Sequence, residues 1–185
     1  MFLPSATPTC YPLVRLNAAE SPVSRASQPP REIICVAKPE LHTAAFLAFN
    51  HDFLRRFGAD PHKISGLVGL SGTYVFVPDT DMLRAAFPPP YTARDWQPIR
   101  FVDASAPPTL LLHGLADREV LPQEAVELRD ALKKAHVPVE LDLFPHRGHA
   151  DTVASFALAT RWRTPALQDT VRFVRRVTGT ASDSR

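Results

Sequence analysis

The chain has 185 residues, and its 21 lysines and arginines nearly balance its 19 aspartates and glutamates, which gives a net charge of +2. This length allows one domain with a buried core, and the even spread of charge argues against a basic face that binds nucleic acid or an anionic membrane. No apolar run is long enough to span a bilayer, so the composition favours a small neutral molecule as partner.

The cysteine content and the first residues bear on the compartment. Cys10 and Cys35 are the two cysteines, which is too few for a disulfide framework in a chain of this size. Met1-Phe2-Leu3-Pro4 lacks the charged start and the continuous apolar core of a signal peptide. We therefore expect a reducing cytoplasm, and no motif indicates a metal or an organic cofactor.

Residues 1–31 show no sustained period of two or 3.6, and prolines interrupt every candidate element. We predict an irregular, extended segment there. The β-branched run at 33–37 predicts a buried strand that ends at Lys38-Pro39. The prolines of the first segment are Pro4, Pro8, Pro12, Pro22, Pro29 and Pro30.

An amphipathic pattern then predicts one helix over residues 42–57, with Gly58 as its left-handed C-terminal residue. Residues 64–70 read as a strand of small residues, after which Ser71-Gly72 leaves the sheet. Residues 77–108 are rich in proline, and only 81–87 are helix-like, so this part predicts an excursion over the carboxyl edge of the sheet that walls a pocket. The phenylalanines assigned to one face of the first helix are Phe46, Phe49, Phe53 and Phe57.

The last third alternates strands and helices. The stretch at 107–117 reads as a buried apolar strand that runs into a loop and presents Asp117 at its end. A helix follows over 122–135, and the strand at 139–144 leads to Gly148-His149. A last helix begins with Thr164 as N-cap and Pro165 in its first turn. The helix at 122–135 is expected to bury Ala125, Leu128, Ala131, Leu132 and Ala135 and to expose Glu124, Glu127, Arg129 and Lys133. The last helix is expected to bury Leu167, Val171, Val174 and Val177.

This order of elements predicts an α/β fold, specifically the second half of a doubly wound, mostly parallel sheet. We place the domain at 32–178, between the irregular segment 1–31 and a polar tail at 179–185. Ligands and catalytic groups collect at the carboxyl ends of such strands, where Asp117 and His149 lie in sequence.

The chain resembles the α/β-hydrolases, in the esterase and lipase branch with bacterial carboxylesterases, feruloyl-esterase-like proteins and arylformamidases. The resemblance covers about residues 42–177, and 185 residues are few for the whole eight-stranded sheet of that fold. It implies a partial domain with Asp117 as the acid and His149 as the base of a Ser-Asp-His triad. The matching stretches are Gly66-Leu67-Val68-Gly69-Leu70-Ser71-Gly72-Thr73-Tyr74, Pro108-Thr109-Leu110-Leu111-Leu112-His113-Gly114 with Asp117 and Val120, and Gly148-His149.

Structural interpretations stand beside these roles. Asp117 by itself is equally consistent with a cap of the following turn, and His149 with a solvated loop histidine. We expect His113 to pack beneath the site as a structural group, and His146 and Arg147 to be exposed.

The nucleophile of the triad is missing. Relatives carry a Gly-x-Ser-x-Gly elbow before the helix assigned to 42–57, and that place falls on Val36-Ala37-Lys38-Pro39-Glu40. Pro39 occupies the position whose backbone N–H normally stabilises the oxyanion, and proline has no N–H. Residues 1–35 contain no His-Gly-Gly loop for the second donor. As written, the chain is expected to be weak or inactive as a hydrolase.

Three other residues are candidates for the lost nucleophile. Ser71 is a low-ranking substitute, because the glycine after it comes one place too early for an elbow. Cys35 lies in a β-branched run that suits a buried, inert thiol, and Lys38 is expected to be a solvated lysine.

A frameshift offers one explanation of the abrupt change in character near residue 41. Codons AAG-CCG-GAG-CTC encode Lys38-Pro39-Glu40-Leu41, and regrouped from the last G of AAG they read Ala-Gly-Ala, as after the serine in many relatives. The alternative is a genuine divergent amino terminus.

Two functions remain open. One is a carboxylic-ester or amide hydrolase acting on a small molecule, and the other is a non-catalytic remnant or small-molecule binding module. In either case a half-sheet leaves a strand edge exposed, which predicts self-association.

Overall fold

A computed structural model describes residues 32–37, 40–78 and 80–179, and it describes side chains from residue 42 onward. The helices and strands alternate along the chain in the predicted order, so the α/β prediction is confirmed. In order, the elements are β1 (Glu32–Ala37), α1 (Glu40–Phe49), α2 (His51–Arg56), β2 (Ile64–Leu70), α3 (Asp81–Ala86), α4 (Ala93–Trp96), β3 (Thr109–Gly114), α5 (Pro122–Lys134), β4 (Val139–Phe144), α6 (His149–Ala154) and α7 (Ala166–Thr178). Short 3-10 helices cover Pro61–Lys63 and Pro98–Phe101.

The four strands form one parallel sheet in the order β1-β2-β3-β4, which is also their order in the chain. Each crossover carries at least one helix, as parallel neighbours require. Every residue of β3 is buried, because helices cover both faces of a central parallel strand. All four carboxyl ends therefore point to one edge, which is the edge that Asp117 and His149 follow.

The core has two layers, one on each face of the sheet. On one face α1 and α5 bury Leu67 and Leu111, together with Leu128 of α5. On the other face the residues adjacent to these in the strands, Val68 and Leu110, pack with Phe173 of α7. This alternation is the period of two that a strand imposes on its side chains.

The single helix predicted over residues 42–57 is wrong. The structure has two helices separated at Asn50, whose side-chain oxygen accepts the N–H of Phe53 at 3.0 Å and caps α2. An asparagine that bonds the backbone in this way restarts a helix instead of continuing one. Phe57 consequently leaves the apolar face and is 75% exposed, while Gly58 has the left-handed φ of 72° that was predicted.

The proline-rich excursion contains more structure than was predicted. Besides α3 it holds α4 and the 3-10 helix at Pro98–Phe101. Phe101 meets Phe46 of α1 with ring centroids 5.0 Å apart, and the Gln97 amide donates to the carbonyls of Val75 and Phe76. This half of the excursion packs against α1, whereas its role as a pocket wall stays a prediction.

The inner face of the last helix was predicted only in part. The helix begins at Ala166, not at Pro165. Val177 packs against the core as predicted, whereas Val171 is 37% exposed and Thr170 and Phe173 are buried. The reason lies at Gly66 in β2, where an added Cβ would stand 2.9 Å from the Phe173 ring. The small strand residue selects the face of the helix that can approach it.

The proposed limits of the domain stay predictions, because residues 1–31 and 180–185 lie outside the described part of the chain. The last described helix ends at Thr178, and Gly179 follows it with a left-handed φ of 69°. Among the described helices, none combines the length and the apolar character needed to cross a membrane.

Candidate active site

Asp117 lies in the tight turn that follows β3, and its carboxylate organises that turn. Its Oδ1 accepts the backbone N–H groups of Glu119 at 2.9 Å and Val120 at 3.0 Å. The side chain is buried, with 3% of the residue exposed. These two bonds are the turn cap considered for Asp117, but they use only one of its two oxygens. Oδ2 remains for another partner.

The second oxygen bonds His149, the first residue of α6 after β4. Asp117 Oδ2 lies 2.6 Å from His149 Nδ1, and the histidine is buried with 6% exposed. A carboxylate oxygen accepts, so Nδ1 is the donor of this bond, and in a neutral imidazole Nε2 then has the free lone pair. His149 Nε2 lies 4.0 Å from Oε2 of Glu119. The structure thus brings the two predicted residues into direct contact.

Gly114, the last residue of β3, allows the two turns to meet. An added Cβ there would overlap the carbonyl group of Arg147, which lies two residues before His149. The same carbonyl accepts the N–H of Ala116 at 2.8 Å. Glycine is therefore required by the close approach of two backbones, and this approach sets the distance between Asp117 and His149.

His113 lies below the pair, fully buried in β3. Its Nε2 is 3.0 Å from the carbonyl oxygen of Val120 and 3.2 Å from Asp117 Oδ2. Burial lowers the pKa of His113, and the bond to the Val120 carbonyl opposes this shift. The expected position beneath the site is confirmed, with a direct contact to the acid in addition.

The start of α6 is held by Asp151. Its Oδ2 accepts the N–H of Gly148 at 2.8 Å, and its other oxygen pairs with Arg163. The bond from Gly148 and the charge of Arg163 lower the pKa of the Asp151 carboxyl group. This cap fixes the first turn of α6, on which His149 stands.

Ser71, the candidate substitute nucleophile, follows β2 with an unusual left-handed φ of 52°. Its N–H donates to the Leu112 carbonyl at 2.8 Å, and its Oγ lies 3.0 Å from Oγ1 of Thr152 in α6. Thr152 in turn donates to the carbonyl of His149. In the part of the chain that the structure describes, no hydrogen bond joins Ser71 to His149, so the Ser71 hydroxyl supports α6. Lys38 and the Cys35 side chain lie outside the described residues.

Glu124 was assigned to the exposed face of α5, and this assignment is wrong. Its Oε2 accepts the N–H groups of Tyr74 at 2.6 Å and Val75 at 2.9 Å, both in the turn after β2. Burial raises the pKa of Glu124 although these bonds oppose the shift. Helical periodicity places Glu124 correctly on its helix, but it contains no information about a loop 50 residues earlier in the chain.

The surroundings of the pair mix apolar and basic groups. Leu115 and Leu121 flank the turn that contains Asp117, and they are 50% and 61% exposed. Arg147, predicted to be exposed, is half-buried, and its guanidinium lies 5.8 Å from the centroid of the exposed Trp162 ring. His146 is exposed as predicted. Among the described side chains, no group of three or more His, Cys, Asp or Glu has the arrangement of a metal site.

Comparison with known structures finds this fold in esterases. A carboxylesterase from Lactobacillus plantarum is 17% identical with a TM-score of 0.66, over 84% of this chain and 61% of that one. A thermophilic esterase from Thermogutta terrifontis with bound propionate is 17% identical with a TM-score of 0.65, over 82% of this chain and 58% of the esterase. An acetyl ester-xyloside bifunctional hydrolase from Caldicellulosiruptor lactoaceticus is 22% identical with a TM-score of 0.59, over 76% of this chain and 55% of the hydrolase.

These similarities establish the fold, and the chain spans about three fifths of the length of the first of these structures. A search of curated proteins gives no match. The model of the prolyl oligopeptidase family matches residues 84–180, which is more than half of the chain and includes both Asp117 and His149. The chain therefore belongs to the prolyl oligopeptidase family.

Proposed function

We propose that this chain carries the acid and base of a carboxylic-ester or amide hydrolase, with Asp117 as the acid and His149 as the base. The observation that carries the proposal is the buried bond of 2.6 Å between Asp117 Oδ2 and His149 Nδ1. It leaves Nε2 as the nitrogen that can take a proton. A solvated loop histidine would not need a buried carboxylate, nor a turn shaped to present it.

In the complete reaction, His149 Nε2 removes the proton of a nucleophilic hydroxyl as its oxygen attacks the substrate carbonyl. Asp117 stabilises the imidazolium that forms. The imidazolium then protonates the leaving alcohol or amine, and an acyl group remains on the nucleophile. Water, activated by the same histidine, hydrolyses this acyl group and restores the starting state.

The surroundings of the pair favour a small ester with a short apolar acyl group. Leu115 and Leu121 offer partly exposed apolar surface on either side of the acid turn. The Thermogutta terrifontis esterase of the same fold holds propionate, a short carboxylate. No metal or organic cofactor enters this scheme.

A second candidate is a non-catalytic remnant that binds a small molecule. It is favoured by Lys38 and Pro39, which occupy the elbow position in sequence and supply neither a serine nor the expected N–H. Under this alternative, the bond between Asp117 and His149 persists as a structural link between two turns. The activity of the chain as written is then absent.

Hydrolysis of p-nitrophenyl acetate separates the two candidates. The hydrolase proposal expects weak turnover that falls to the buffer rate in His149→Ala but persists in the control His146→Ala, whose imidazole is exposed in the same loop. Turnover at the buffer rate, or turnover that His149→Ala leaves unchanged, supports the remnant.

Rebuilding the elbow makes the test stricter. The variant Val36→Gly, Lys38→Ser, Pro39→Ala, Glu40→Gly restores a Gly-x-Ser-x-Gly sequence. We expect its turnover to exceed that of the parent by about a hundredfold or more, since serine loss costs up to about a millionfold. Addition of His149→Ala should abolish the gain. A folded elbow variant without any gain would contradict the assignment of His149 as base.

A further inference from the structure

A third side chain belongs to the pair of Asp117 and His149. His113 lies in β3, one position before the glycine that lets the two turns meet, and its side chain is completely buried. A buried histidine in a central strand needs a reason, because an apolar residue there would avoid the cost of burying two polar nitrogens. The contacts of its Nε2 nitrogen supply that reason.

The contacts define the tautomer of His113. The carbonyl oxygen of Val120, 3.0 Å from Nε2, can only accept a hydrogen bond, so Nε2 carries the proton. Nδ1 is buried and has no hydrogen-bond partner among the residues that the structure describes. A proton on Nδ1 would be a buried donor without an acceptor, which disfavours the charged ring. The ring is therefore neutral, with its single N–H aimed at the acid turn.

That one N–H bonds the Val120 carbonyl, at the far end of the Asp117 turn. Val120 is also the residue whose own N–H bonds Asp117 Oδ1. Asp117 Oδ2, the oxygen that bonds His149 Nδ1, lies 3.2 Å from His113 Nε2. The His113 N–H thus ties the end of the turn to β3, and its partial positive charge lies beside Oδ2. A neutral donor achieves this without placing a positive charge beside the imidazolium that His149 forms.

We propose that His113 is a positioning residue for the acid, fixing Asp117 Oδ2 so that His149 is held with its proton on Nδ1. This inference deepens the proposed function and rests on it for its catalytic meaning. It requires no contact between His113 and a substrate.

The test reads the tautomer of His149 directly, by two-dimensional NMR of the imidazole nitrogens in ¹⁵N-histidine protein at mildly alkaline pH. The signals of His149 are identified by their loss in His149→Ala. We expect the parent to show the Nδ1–H form of His149. His113→Leu removes the donor and should give the tautomer mixture of an unconstrained imidazole. His113→Gln places an amide N–H near the lost Nε2–H and should retain the Nδ1–H form.

A folded His113→Leu protein that keeps His149 wholly in the Nδ1–H form would overturn the proposal. If the leucine variant does not fold, His113→Asn takes its place, because its amide reaches only the position of Nδ1 and gives the Val120 carbonyl and Asp117 Oδ2 no replacement for the lost Nε2–H. The same two outcomes then apply. His146→Gln is the matched control and should leave the His149 signals unchanged.

The outcome is separable from that of the hydrolase proposal. An inactive elbow variant whose His149 tautomer still depends on His113 would contradict the hydrolase function but support the positioning role. An active elbow variant whose His149 tautomer does not change when His113 is replaced would support the hydrolase function and contradict the positioning role.

Discussion

The carboxylate of Asp117 accepts three hydrogen bonds on its two oxygens. Two come from backbone N–H groups of its own turn and one comes from the imidazole of His149, while His113 Nε2 lies 3.2 Å from Oδ2. Hydrogen bonds to a charged, buried acceptor are among the stronger interactions in a protein interior. Loss of any one donor therefore disturbs the others, and the site behaves as a small network.

Buried histidines make the folded state sensitive to acid. Burial lowers the pKa of His113 and of His42 below the ordinary value of 6.5. Below pH 6.5 the histidines of the unfolded chain are protonated, whereas the same imidazoles in the folded state stay neutral until the pH is lower. The free energy of unfolding therefore falls as the pH falls. Their contribution to stability is complete above pH 6.5 and is lost progressively below it.

We expect the urea midpoint to decrease from about pH 7 to about pH 5 and to decrease less steeply in His113→Gln. The lowered pKa values of Asp103 and Asp151 place their loss of stability at more acid pH. The raised pKa values of Glu124 and Asp169 act in the opposite direction, because these carboxyl groups bind protons more readily in the folded state than in the unfolded chain. The comparison of the two proteins isolates the imidazole, and an equally steep decrease in His113→Gln would contradict the prediction.

At the scale of elements, the site is the meeting of two turns that follow neighbouring strands. β3 and β4 are in register, with Gly114 opposite Phe144, so their following turns start side by side. The distance between these turns is set by backbone contact at Gly114 and Arg147, and not by the side chains of the acid and the base. The backbone at Gly114 and Arg147 therefore decides whether Asp117 and His149 can come within hydrogen-bond distance.

Gly114→Ala should push these turns apart and destabilise the protein by about 1–3 kcal/mol, as expected for overpacking at a buried position. The matched control is Gly148→Ala in the second turn. Gly148 has an ordinary φ of −90°, and an added Cβ would meet its nearest neighbour at 3.9 Å.

Thermal unfolding of both variants measures the difference, and the bond between Asp117 and His149 can be followed through the imidazole signals. The prediction requires a loss in Gly114→Ala and little change in Gly148→Ala. Equal effects of the two substitutions would contradict the role assigned to the close approach.

At the scale of the whole molecule, β1 is an edge strand of the sheet among the described residues. It stands at the end of the order β1-β2-β3-β4 and in this part of the chain pairs only with β2. The carboxylesterase from Lactobacillus plantarum extends beyond the matched part, since this chain covers 61% of it. An edge strand with the apolar sequence of residues 33–36 is a template for pairing with another chain.

We expect the protein to self-associate, with its weight-average mass rising toward twice the monomer value at about 100 μM in analytical ultracentrifugation. Ile34→Lys places a charge on the edge strand and should reduce association. Val77→Lys is the control, because Val77 is a 72% exposed apolar residue on the excursion. A monomer at every concentration, or equal effects of both lysines, would contradict pairing through β1.

Much of the architecture was accessible from the sequence, because local patterns have local causes. Apolar runs predicted β2 and β4 to the residue and located β3 within the stretch 107–117, and helical periodicity predicted α5 with its buried Ala125, Leu128 and Leu132. The order of strands, Asp117, helix, strand and His149 indicated the α/β-hydrolase fold and its acid and base. The absence of a serine elbow is also a property of the sequence alone.

Only the tertiary structure decided the contacts between segments that are distant in sequence. It placed Glu124 under the turn of Tyr74, chose the Phe173 face of α7, engaged Ser71 with Thr152 and brought His113 within 3.2 Å of Asp117. The strand period of two and the helix period of 3.6 predict none of these contacts, because each contact depends on which distant segments of the backbone can approach each other. At Gly66 and Gly114 that approach is decided by the space a missing Cβ leaves.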